Sequence, residues 1–142
     1  MTETTTTLNW QHVQNAVIVK LQSLPKVNAE IVLPNNPPKK RTGLFVELTV
    51  SPTGSFPWTD HTMLHLGSID QIVNVPDGEG TDRAFDIAAM IAGMYSPIES
   101  SKAGFQAGPY WVNVRGVRQM PSDRQNELFR INIRVEIEIY IP

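Results

Sequence analysis

The sequence predicts an α+β fold: a mostly antiparallel five-stranded sheet with two helices packed on one face, in the order α-β-β-β-α-β-β. Two helical stripes, one long run of strict alternation and the breaker clusters between them carry that prediction. At 142 residues with 41% apolar and 18% charged side chains, the composition is that of one globular domain. The expected division is a disordered Thr-rich tail over 1–7 and a single domain over 8–142.

The first helix rests on Trp10, Val13, Val17, Leu21 and Leu24, which share one face. Asn9 or Thr7 can cap its start, and Pro25 ends it. A short apolar piece at Ala29 to Leu33 precedes the breakers Pro34-Asn35-Asn36-Pro37-Pro38 and the basic triplet Lys39-Lys40-Arg41. Leu44, Val46, Leu48 and Val50 then alternate with Phe45, Glu47 and Thr49, as a half-buried strand does. Ser51 to Asp60 contains Pro52, Gly54 and Pro57 and is expected to be a loop. In the next strand, Thr62 to Val75, the apolar phase changes beside Gly67, which predicts a β-bulge there.

The turn Pro76 to Gly80 leads into a second helical stripe of Ala84, Ile87, Ala88, Ile91, Met94 and Tyr95, stopped by Pro97. Ser96 to Pro109 reads as a connection, Trp111 to Val117 as a strand, and Arg118 to Glu127 as a polar loop. The chain closes on thirteen alternating residues, Phe129 to Ile141, with six isoleucines or valines and Phe129 on one face. Such a strand spans about 43 Å. Its length suggests that part of it projects or is covered by another chain, and an open edge there would favour oligomerisation. The opposite sheet face, with Glu47, Thr49, Arg134, Glu136 and Glu138, is expected to meet water or a partner.

Chemistry is harder to find than structure. The absence of cysteine excludes disulfides and thiolate metal sites. There is no phosphate-binding loop: Gly78-Glu79-Gly80 precedes a helix but lacks the lysine and the third glycine. No serine sits in a nucleophile elbow, since the candidates read Thr53-Gly54-Ser55-Phe56 and Leu66-Gly67-Ser68-Ile69. His61 and His65 are four apart, but on a strand that separation is about 13 Å, too far for one metal ion, so both are expected as surface polar residues. No cofactor, metal or catalytic site is expected. With 12 basic and 14 acidic residues the net charge is −2, which supplies no basic surplus for general nucleic-acid binding. No apolar run is long enough to span a membrane, and the polar start is not that of a signal peptide.

Two features could contact a partner, the second of them a phosphate or an acidic surface. Phe56 and Trp58 are large aromatics in the expected loop, and Lys39, Lys40 and Arg41 form a compact basic cluster.

One set of motifs goes further. It comprises Leu33-Pro34-Asn35-Asn36-Pro37-Pro38, Gly43 to Leu48, Leu66-Gly67-Ser68-Ile69-Asp70-Gln71-Ile72-Val73-Asn74-Val75-Pro76, Gly78-Glu79-Gly80 opening a helix that ends at Met94-Tyr95-Ser96-Pro97, and Phe129-Arg130-Ile131-Asn132-Ile133. Over about residues 30–142 this pattern resembles the tail-terminator-like proteins of long-tailed bacteriophages. The resemblance implies a virion protein of the tail and neck, assembled in the host cytoplasm. It would be a subunit of a homo-oligomeric ring, a hexamer, that caps the head-proximal end of the tail tube and stops its polymerisation. Its partners would be the tail tube protein and a neck or head-completion protein. DNA would pass through the lumen without specific binding, and no membrane would be involved. The basic triplet and the Phe56/Trp58 segment lie outside the family pattern and inherit no role. The alternatives are another neck, connector or tube component and, from a different class, a small nucleic-acid-binding α+β module.

Overall fold

Residues 8–24, 30–34, 44–76, 81–95, 104–120, 123–125 and 128–142 are described by a computed structural model of the chain. Helix α1 covers Trp10–Gln22, and its Asn9 cap accepts a hydrogen bond from the Gln11 amide at 3.0 Å. Three strands follow: β1 (Glu30–Val32), β2 (Phe45–Thr59) and β3 (Thr62–Pro76). After helix α2 (Thr81–Tyr95) come β4 (Gly104–Ala107), β5 (Tyr110–Gln119), β6 (Asp123–Gln125) and β7 (Leu128–Ile141).

The five-stranded, mostly antiparallel sheet expected from the sequence is therefore corrected. The described strands form one seven-stranded mixed sheet ordered β1-β2-β3-β7-β5-β4, with β6 also on β7, and the element order is α-β-β-β-α-β-β-β-β. β1 runs parallel to β2, and the remaining neighbours are antiparallel.

Three further expectations fail for physical reasons. Ser51 to Asp60 is not a loop, because β2 continues to Thr59 and only Asp60 and His61 turn the hairpin into β3. Beyond Glu47, no described strand pairs with the outer edge of β2. Pro52 and Pro57 lie in that edge stretch, where a missing N–H is tolerated. The bulge expected in β3 lies in its neighbour instead: β2 slips register between Pro52 and Gly54, opposite Gly67, while β3 pairs with β7 without interruption. Finally, β7 is central, flanked by β3 on one side and by β5 and β6 on the other, so it offers no long open edge for oligomerisation.

The core lies on one face of the sheet. Val13, Val17 and Leu21 of α1 join Ala84, Ile87, Ala88, Ile91 and Tyr95 of α2 in one buried cluster with Val46, Leu48, Ile69, Val73 and the isoleucines of β7. A tight β4–β5 turn helps dock α1. Gly108 takes φ 57° at its first central position with Pro109 at the second, and the His12 ring lies directly over it. His12 also meets Tyr110 edge-on at 5.6 Å.

Tyr95 is buried with its ring edge against Phe105, and among the described residues its hydroxyl has no hydrogen-bond partner. Burial pushes its pKa up from the ordinary 10.0. The folded chain thus keeps this proton above pH 10 while the unfolded chain releases it, so stability falls as pH rises beyond that point. Tyr95→Phe should hold or raise stability at neutral pH by up to about 1 kcal/mol and flatten the alkaline decline, as read by chemical denaturation at pH 8 and pH 11.

Candidate protein-docking face

The face turned away from the helices is built by strand alternation. Strand register arranges it in rows across β2, β3 and β7: Glu47–Ile72–Asn132, Thr49–Asp70–Arg134, Ser51–Ser68–Glu136, Gly54–Leu66–Glu138 and Phe56–Leu64–Tyr140. The first rows are charged and the last is aromatic.

In the charged part, opposite signs are already paired. Arg134 Nε donates to Asp70 Oδ1 at 2.8 Å, and Asn132 Nδ2 donates to the same oxygen at 3.0 Å. The Asp70 carboxylate, through that hydrogen bond and its charge, holds the Arg134 pKa further up. Arg118 Nη2 meets Glu136 Oε1 at 2.8 Å, Arg115 Nε lies 3.6 Å from Glu138 Oε2, and Arg130 Nη2 lies 3.8 Å from Glu47 Oε1. Among the described residues, these four cations matched to four anions leave no surplus positive charge on this face to attract a polyanion.

The aromatic end is different. Phe56, Trp58, Trp111 and Tyr140 are 41%, 59%, 47% and 37% exposed, and Phe56 and Tyr140 flank the buried Leu64 in one row. Trp58 meets Tyr140 edge-on with centroids 5.6 Å apart. Trp111 lies on the same face as Asn113, the register partner of Glu138, and its Nε1 donates to Asn113 Oδ1 at 3.1 Å. Its ring covers Gly104, where any Cβ would strike it. Partly ordered aromatics on a strand surface lose little entropy when a partner covers them.

Of the residues singled out from sequence, Phe56 and Trp58 sit in this patch, on a strand rather than a loop. Lys39, Lys40 and Arg41 lie outside the described residues. Trp111 and Tyr140 were missed, although both occupy the outward phase of strands whose inward phase is apolar, where a charged residue is commonplace and a large aromatic is not.

Other chemistry is sparse. Among the described residues no group of three or more His, Asp or Glu is placed to hold a metal ion. His61 is exposed at the hairpin turn, whereas His65, expected at the surface, is buried on the core face with its Nδ1 2.7 Å from Ser55 Oγ. The unbroken β3 register puts it there: His65 shares the row of Ile139.

No family model matches the chain, and no curated protein does. Solved structures do match. One superposes with a TM-score of 0.69 at 16% identity, over 94% of this chain and 96% of its own. A chain from the virion of a native gene transfer agent particle superposes with a TM-score of 0.62 at 16% identity, over 90% of this chain and 94% of its own. At such low identity the likeness is one of fold, and the chain thus carries a fold that is also found in a virion particle.

Proposed function

We propose that this chain is a structural subunit of a phage-like particle, and that it works by docking other proteins on its helix-free sheet face. The observation that carries the reading is the exposed cluster of Phe56, Trp58, Trp111 and Tyr140 on a face whose charges are internally neutralised. The virion-derived structural neighbour supports the same reading. Within it, the motif resemblance favours a tail-terminator-like ring subunit that caps a tail tube and joins it to the neck. No catalytic step is proposed.

A nucleic-acid module also uses sheet-borne aromatics, as stacking platforms. Here the arginines of that face are each matched to a carboxylate, which removes the cationic track such binding needs.

The test is Trp58→Ala, examined by size-exclusion chromatography with light scattering. The wild-type chain should elute at several-fold the monomer mass. The variant should melt as the wild type does, because Trp58 is exposed, yet assemble about thirtyfold more weakly, as loss of an aromatic anchor worth about 2 kcal/mol predicts. A wild-type chain that stays monomeric, alone and mixed with tail tubes, would sink the ring. A variant that assembles normally would move the interface elsewhere.

A further inference from the structure

Two irregularities of the sheet meet at one level. β2 slips register between Pro52 and Gly54, and β5 slips between Val114 and Gly116. Thr53 and Arg115 are the residues left without a partner at this level, as Trp58 is at a further slip between Pro57 and Thr59. Both flank the same place on the central strands: Pro52 pairs with Gly67, Gly67 with Ile137, and Ile137 with Val114. A hollow of about 210 Å³ lies there, lined by Thr53, Ser68, Arg115, Arg134, Glu136 and Leu66 among others.

The donors around this hollow are only partly used. Arg134 is held to Asp70 through Nε, and Arg115 approaches Glu138 through Nε. No hydrogen bond from the terminal amino groups of either guanidinium is found among the described residues, nor one from the Thr53 or Ser68 hydroxyls. The planar fork of a guanidinium is the group that pairs two-to-two with a carboxylate. We propose that this hollow is a carboxylate-binding site, with Arg115 and Arg134 as the charged ligands and Ser68 and Thr53 as hydroxyl donors.

The charge balance selects the class of anion. With their partners counted, Arg115, Arg134 and Arg118 balance Glu138, Asp70 and Glu136, so the hollow offers unused guanidinium N–H donors rather than a surplus of charge, which suits a monoanion. A phosphate dianion would meet Glu136 at once, with Asp70 and Glu138 close behind the arginines. Leu66 supplies an apolar wall for the methylenes that carry a side-chain carboxylate. The hollow adjoins the aromatic end, since Leu66 is two residues from Leu64 on the same strand and face. The natural occupant is an aspartate or glutamate of the protein docked on that face, and this identification rests on the assembly reading above. Binding of a free carboxylate does not.

The experiment uses the Trp58→Ala chain as host, so that assembly does not enter the result. Sodium acetate is titrated against sodium chloride at equal ionic strength, with backbone amide and arginine Nε signals followed by NMR. Acetate should shift Arg115, Arg134 and Ser68 saturably in the millimolar range, and chloride should not. Arg115→Ala, an exposed residue in a bulge, should fold normally and weaken binding about tenfold or more. Shifts that acetate and chloride cause equally, or acetate binding unchanged in Arg115→Ala, would overturn the site. Tighter binding of phosphate than of acetate would overturn the carboxylate assignment. If acetate binds as expected and Trp58→Ala nonetheless assembles like the wild type, the site stands and the assembly reading falls.

Discussion

Ile133→Asp is expected to leave the chain unfolded at room temperature. Ile133 is fully buried at the centre of β7, and its row-mate on β3 is Gln71, whose Nε2 already donates to the Ile133 carbonyl at 2.9 Å. A carboxylate placed there would lie among the buried apolar side chains of the core cluster. Even protonated, it would be a buried polar group that costs several kcal/mol on top of the lost apolar contact. A domain of this size has about 5–15 kcal/mol of stability in total. Circular dichroism on heating should show no cooperative transition. Tyr140→Asp, on the other face of the same strand, should retain one. A native-like melt of Ile133→Asp would mean that the face assigned to the core is wrong.

Gly67→Val should be the most damaging change that adds atoms rather than charge. A Cβ at Gly67 would stand 2.6 Å from the Trp10 ring and 3.2 Å from the Ser51 carbonyl oxygen. The indole is the first side chain of α1 and reaches this point with Cη2 and Cζ3 of its six-membered ring, so the helix must lift or the ring must leave its place. Such overpacking costs about 1–3 kcal/mol, and at this chain length each kcal/mol lowers the melting temperature by roughly 4 °C. Trp10 is the least exposed of the three tryptophans, so its emission should shift to the red as it is displaced. The two residues should couple: in a Trp10→Leu background Gly67→Ala should cost little. If it costs as much as in the wild type, the ring is not what excludes a side chain there.

How well the sequence reports the fold depends on whether an element owns its pattern. The stripe Val13-Val17-Leu21, the stripe Ala84-Ile87-Ala88-Ile91 and the alternation of β7 are each set by one stretch of chain facing one core, and all three were readable. β4 has four residues, begins at a glycine that the Val112 carbonyl and the Trp111 ring explain, and carries no period to detect. The second half of β2 hides behind prolines that are acceptable because of where the strand lies in the sheet, which a linear reading does not contain. β3 misled in a third way. Leu64 and Leu66 look like a phase error, yet they face outward in good register because the aromatic end supplies an apolar surface there as well. The docking face was half legible for the same reason. Phe56 and Trp58 stand out by residue type, whereas Trp111 and Tyr140 gain meaning only when register brings four strands together.

The two bulges join curvature to recognition. Thr53 and Arg115 are each an extra residue without a pairing duty: Pro52 and Gly54 already face adjacent residues of β3, and Val114 and Gly116 already face adjacent residues of β7. Removing either residue would leave Phe56 opposite Leu64 and Asn113 opposite Glu138, as they are now. What would change is the crease that the two bulges put across the sheet, because a bulge bends its strand and deepens the local twist. The aromatic tip is therefore mounted like a blade at an adjustable pitch. One residue gained or lost at 53 or 115 re-aims it without altering a single side chain it presents. In a closed assembly, pitch sets how many copies complete the circle. In the ring proposed above, the number of subunits would thus depend on two positions outside the buried core.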